Sequence, residues 1–75
     1  MDLLRFEDKD VGAIYLDGRM VFCLCGTSNA PDNTKLVAYN GSSAVSQLDI
    51  AADVDELAQA IERAVPGARI HRITV

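Results

Sequence analysis

Two thiols, one imidazole and a set of clustered carboxylates are the residues of this 75-residue chain whose types could do chemistry. Cys23 and Cys25 stand two apart, so on a strand they project to the same side, where two thiolates can hold a soft metal ion. Zinc asks for four ligands, commonly delivered as C-x-x-C pairs. This chain offers one C-x-C and a single distant histidine, His71. A disulfide between the two is sterically awkward in extended backbone. Both cysteines therefore read first as small apolar core residues, and a small-molecule or metal-binding protein using Cys23 and Cys25 stands as the alternative function. A nucleophilic or acid–base site needs a base beside a nucleophile and a third group to orient it. His71 falls between Arg69 and Arg72, and none of Thr27, Ser28, Thr34, Ser42, Ser43 or Ser46 lies in a recognisable nucleophile motif. The expectation is a non-enzyme without a cofactor, with no catalytic or metal-ligating residue assigned.

Asp49, Asp53, Asp55 and Glu56 gather at the start of the one predicted helix, without the ligand periodicity of a calcium loop. Capping and the helix dipole account for Asp53, Asp55 and Glu56. Asp8, Asp10, Asp17, Asp55 and Glu56 are expected to form an acidic surface. Charge is unevenly spread: all eleven acids lie before residue 63, whereas residues 63–75 carry Arg63, Arg69 and Arg72 and no acid. With a formal net charge of −4, the body is a poor match for duplex nucleic acid, which is bound through a basic face. A protein with a basic surface is the expected partner.

The elements that must position these residues begin with a strand at Leu3–Glu7 and a charged turn at Glu7–Asp10. Ala13-Ile14-Tyr15-Leu16, then Asp17-Gly18, then Arg19-Met20-Val21-Phe22-Cys23-Leu24-Cys25 predicts a hairpin through a type I′ turn. That turn pairs Leu16 with Arg19, Tyr15 with Met20, Ile14 with Val21 and Ala13 with Phe22. One face then carries Ile14, Leu16, Val21, Cys23 and Cys25. The other carries Val11, Ala13, Tyr15, Met20, Phe22 and Leu24. Neither face is polar, and one helix covers only one of them. The second is expected to be covered by the sheet curling on itself, by a second copy or by another protein. Tyr15, Met20, Phe22 and Leu24, of the types that anchor interfaces, are the expected interface.

Gly26–Asn33 reads as a loop, Lys35–Tyr39 as a fourth strand, Asn40-Gly41 as a second hairpin turn and Ala44–Ile50 as a fifth strand. Val54, Leu57, Ala58, Ile61, Ala64 and Val65 recur at helical spacing, with Asp53 as cap and Pro66-Gly67 as stop. Ala68–Val75 reads as a last edge strand with a bulge near His71-Arg72. The fold class is α+β: an antiparallel sheet of five to six strands with one helix packed on a face, in the order β-β-β-β-β-α-β.

Thr34-Lys35-Leu36-Val37-Ala38-Tyr39-Asn40-Gly41 and Asp53-Val54-Asp55-Glu56-Leu57-Ala58-Gln59-Ala60-Ile61 together resemble the hairpin-plus-helix pattern of small flagellar regulatory proteins and LytTR-type DNA-binding domains. The match covers under half the chain, rests on generic turn and capping signals, and lacks the basic residues of a DNA-reading domain. It assigns no family.

A chain of this length makes one domain, residues 1–75, and its small core invites stabilisation by oligomerisation. It holds no run of about 18 apolar residues, and its first residues lack the pattern of a signal peptide, so a cytoplasmic, non-membrane protein is expected. The expected function is a small acidic non-enzymatic protein-binding module and homodimer. As a regulator or inhibitor it would occupy a basic surface of its target; in size and charge it is similar to phage and mobile-element inhibitors such as anti-CRISPR proteins.

Overall fold

The computed structural model describes residues 2–68 and His71. It contains β1 (Leu3–Asp8), β2 (Gly12–Asp17), β3 (Val21–Thr27), β4 (Ala30–Asn40), β5 (Ser43–Ile50) and α1 (Val54–Ala64). The strands form one antiparallel sheet in the order β2-β1-β5-β4-β3. The α+β class and the single helix agree with the sequence. The predicted last strand lies outside the described residues apart from Ala68 and His71; His71 is exposed and in no strand.

The first hairpin is a correction. β2 pairs with β1, Leu4 opposite Leu16 and Phe6 opposite Ile14, and not with β3. Two local features turn the chain early. Gly12 sits at φ +86°, a conformation that glycine adopts without steric cost. The Asp8 carboxylate accepts the Asp10 and Val11 amides, both at 2.9 Å. At Asp17-Gly18 the turn is not type I′, because Gly18 is not among the positive-φ glycines. It is closed instead by the Met20 amide donating to the Asp17 carbonyl at 3.1 Å and the Arg19 amide donating to the Asp17 carboxylate at 2.9 Å. Gly18 also donates to the Asp2 carbonyl at 2.9 Å, which docks this turn on the start of β1.

The strand order forces curvature. β2 and β3 end the sheet on opposite sides, yet only Gly18–Met20 join them. In a flat sheet four spacings would separate them by about 19 Å, and a connection this short reaches at most about 14 Å. The sheet therefore curls its edges together. The rings of Phe6 on β1 and Phe22 on β3 confirm the curl: their centroids lie 5.6 Å apart although β5 and β4 stand between those strands.

The remaining elements differ from expectation at their ends. β3 and β4 close with Thr27 opposite Ala30, and the register shifts beyond Gly26 opposite Thr34, so the predicted loop is mostly strand and bulge. Pro31 falls among the residues that the shift leaves out of the ladder, where its missing N–H costs nothing. The Asn40-Gly41 turn forms as expected between Asn40 and Ser43, with Gly41 alone at φ +67°, the pattern of type II′ rather than I′. Val45 is squeezed out as a bulge between Ala44 opposite Tyr39 and Ser46 opposite Ala38.

The core is the concave side of the curled sheet closed by α1. Leu36 and Ala38 are fully buried, with Phe6, Leu16, Leu48, Ile50 and Leu57 around them. Asp53 caps α1, accepting the Asp55 amide at 3.0 Å and the Glu56 amide at 3.4 Å. Buried Thr34 donates its hydroxyl to the Ala52 carbonyl at 2.8 Å, tying β4 to the strap before the helix. At the other end of the strap Val54 packs on Gly26, where a Cβ would approach a Val54 methyl to 3.0 Å.

Candidate functional site

Curling sorts the residues of the predicted hairpin differently from a two-stranded ribbon. Ile14 and Leu16 of β2 face inward together with Met20, Phe22 and Leu24, all packed in or against the core. Three of the four expected interface residues, Met20, Phe22 and Leu24, thus line the interior. Tyr15 alone points outward, 60% exposed opposite Arg5. The physical reason is phase. Pairing β2 with β1 releases β3 from the register that the Asp17-Gly18 turn implied, and a shift by one residue exchanges the faces of a strand.

The outer face of β3 and β4 is therefore the surface that sequence reasoning missed. Val21 lies opposite Tyr39, and Cys23 opposite Val37. Val21 is 66% exposed, Tyr39 and Val37 are half-buried, and α1 lies on the other side of the sheet. Among the described residues β3 is also an edge strand whose outer side has no ladder partner. The signal was present in the sequence as the alternation Val21, Cys23, Cys25 against Phe22 and Leu24, once the larger residues are assigned to the core.

Cys23 and Cys25 are exposed and free, a correction to their reading as buried core residues. Both point outward from β3, with Lys35 opposite Cys25. Among the described residues no group of three or more His, Cys, Asp and Glu side chains comes together as a metal site.

The expected acidic surface divides. Asp10, Asp55 and Glu56 are exposed. Asp8 is buried and belongs to the scaffold: besides its own turn it accepts the Asp49 amide at 2.7 Å. The Asp49, Val11 and Asp10 amides, in that order, hold its carboxyl below the usual carboxylate range. Asp17 is half-buried and engaged by Arg19, whose guanidinium approaches to 2.8 Å. Hydrogen bonds from the Arg19 side chain and amide hold its pKa down at about 2. Neither carboxylate is free to meet a partner.

A second feature is a groove of about 350 Å³ between β1 and α1, walled by Leu3–Phe6 on one side and Leu57, Ala60, Ile61 and Ala64 on the other. At the Asp8 end β1 is joined to β5 by Asp8 opposite Ile50 and by the Lys9 amide on the Asp49 carbonyl at 2.9 Å.

No family model, no curated protein and no solved structure matches the chain. Among the described residues no helix is long and apolar enough to cross a membrane.

Proposed function

We propose that this chain is a small acidic, non-enzymatic protein-binding module that works as a homodimer and, as a regulator or inhibitor, occupies a basic surface of its target. The observation that supports this reading is the outer face of β3–β4, which presents two apolar cross-strand pairs, Val21 with Tyr39 and Cys23 with Val37, beside an edge that no other described strand pairs with. Apolar pairs at a sheet edge are a liability in a lone monomer and an anchor in a complex. The net charge of −4, with Asp10, Asp32 and Glu56 exposed, gives electrostatic complementarity to a basic partner. The test is capture from native host extract with wild-type protein and with a Val21→Lys variant. A discrete basic partner held by the wild type, released as salt rises and lost in the variant is expected. Equal retention by both, or no salt-released partner, overturns the reading.

The exposure of both thiols on one outward face favours a second reading, a soft-metal-binding protein using Cys23 and Cys25. Elemental analysis after purification without chelators decides it. Stoichiometric metal in the wild type and none in the Cys23→Ser, Cys25→Ala variant is the expected result, and absence of metal from the wild type removes it.

A further inference from the structure

The spacing of Cys23 and Cys25 suits one coordination geometry. Both thiols are exposed and free, and both project from the outer face of β3. Residues two apart on a strand stand about 6.7 Å from one another, too far for the Cβ separation of about 3.8 Å in a disulfide. Strand side chains lean along the strand in either of two common rotamers. Leaning together, the two sulfurs come to about 4–5 Å of one another. A metal–thiolate bond of about 2.3 Å spans about 4.6 Å across a straight sulfur–metal–sulfur line. The Cys25 thiol donates to the Gly26 carbonyl at 3.8 Å, so turning it toward Cys23 gives up one weak bond. Among the described residues no third His, Cys, Asp or Glu joins the pair as a metal site, and outside them the chain has no residue of these types. The closed four-ligand site of zinc therefore needs two more protein ligands than one chain gathers here, whereas a linear site needs none.

We propose that Cys23 and Cys25 of a single chain hold one copper(I) ion as a linear dithiolate. The proposal rests on the soft-metal reading above and names the ion and its geometry. Copper(I) is soft and selects thiolate ligands, and its filled d shell is satisfied by two donors in line. Each thiol gives up its proton and forms one copper–sulfur bond. Two protons leave, the copper stays monovalent, and the site keeps a single net negative charge. Two neighbours suit that product. Lys35, exposed on β4 between Cys25 of β3 and Asp49 of β5, sets a cation beside the anionic centre. Directly opposite cross-strand side chains start about 4.5–5.5 Å apart, within reach of the lysine stem. Val37, half-buried opposite Cys23, supplies an apolar wall, and such a wall limits the access of water to a metal.

Metal titration of the full-length chain tests this. The protein, reduced and kept from oxygen, is titrated with copper(I) supplied as its acetonitrile complex in competition with the chelator bicinchoninate, and separately with zinc(II) against a zinc dye. X-ray absorption at the copper edge gives the donor set, and light scattering behind a sizing column gives the mass with and without metal. The expected result is one copper(I) per chain, bound by two sulfurs, at least about tenfold more tightly than zinc(II), with the mass unchanged by the metal. Cys23→Ser and Cys25→Ser change exposed positions, and circular dichroism checks that each variant folds. Each is expected to weaken copper(I) binding by more than the about 10–100-fold that loss of an outer-shell partner costs. Zinc(II) held as tightly as copper(I), or copper(I) held by three or more sulfurs with a doubling of mass on binding, overturns the linear site and leaves the soft-metal reading standing. Binding of neither ion, or copper(I) kept equally by the Cys23→Ser, Cys25→Ala variant, overturns the soft-metal reading and this proposal with it.

Discussion

Asp8 shows how one carboxylate can join parts of a fold distant in sequence. One oxygen accepts the Asp10 and Val11 amides of the first turn, and the other accepts the Asp49 amide of β5. All three bonds favour the charged form, and so lower its pKa. A carboxyl whose pKa is lowered on folding contributes stability that is present above its unfolded value and lost as pH falls through its folded value. Asp8 and Asp17 both behave this way, with 3.8 as the ordinary value and about 2 for folded Asp17. Urea denaturation at a series of pH values should therefore show stability level near neutrality and falling from about pH 4 towards pH 2. In Asp8→Asn the protein should be weaker at pH 7, because an amide nitrogen replaces one of the accepting oxygens, and the acid-side fall should be shallower. An unchanged fall would mean that other carboxyls carry it.

At the scale of elements, the contact between Gly26 and Val54 sets how α1 enters the core. A Cβ there would come to 3.0 Å of a Val54 methyl, and a branched side chain closer still. Gly26→Val should cost about 1–3 kcal/mol through displacement of the helix start, read as a lowered urea midpoint at constant m. Equal stability would show that the strap from Ala51 to Asp53 yields freely. The helix itself was legible in the sequence to its cap, because Asp53 and the apolar spacing from Val54 to Val65 are local signals. Strand positions were legible for the same reason. Strand pairing was not. Asp17-Gly18 carries the composition of a hairpin turn, while the competing signal, the carboxylate of Asp8 on the Asp10 and Val11 amides and the freedom of Gly12, lies outside the two-residue turn patterns that mark a hairpin in sequence. The outward-facing pair Val21 and Tyr39 and the core positions of Met20, Phe22 and Leu24 all follow from that single exchange of partners, so the candidate surface was hidden by the same error.

Across the whole molecule, curvature makes one core from two sub-sheets. Phe6 and Phe22 meet only because the sheet bends, so a double-mutant cycle with Phe6→Leu and Phe22→Leu measures that closure directly. A coupling of about 0.5–1.5 kcal/mol is expected for a tilted ring pair at this distance; additive effects would mean that the two strands do not face one another in solution. The order β2-β1-β5-β4-β3 also has a kinetic consequence. Every extended ladder joins strands adjacent in the chain: β1 with β2, β3 with β4, β4 with β5. Contacts of such low sequence separation form early, because little loop entropy is spent to make them. Among the described residues the strand pairing of greatest sequence separation is the corner where Asp8 meets Ile50 and Asp49. A two-stranded hairpin and a three-stranded meander are thus set to arise independently, and the late event in folding is their joining, at this corner and through the core that Phe6 and Leu16 share with β4, β5 and α1.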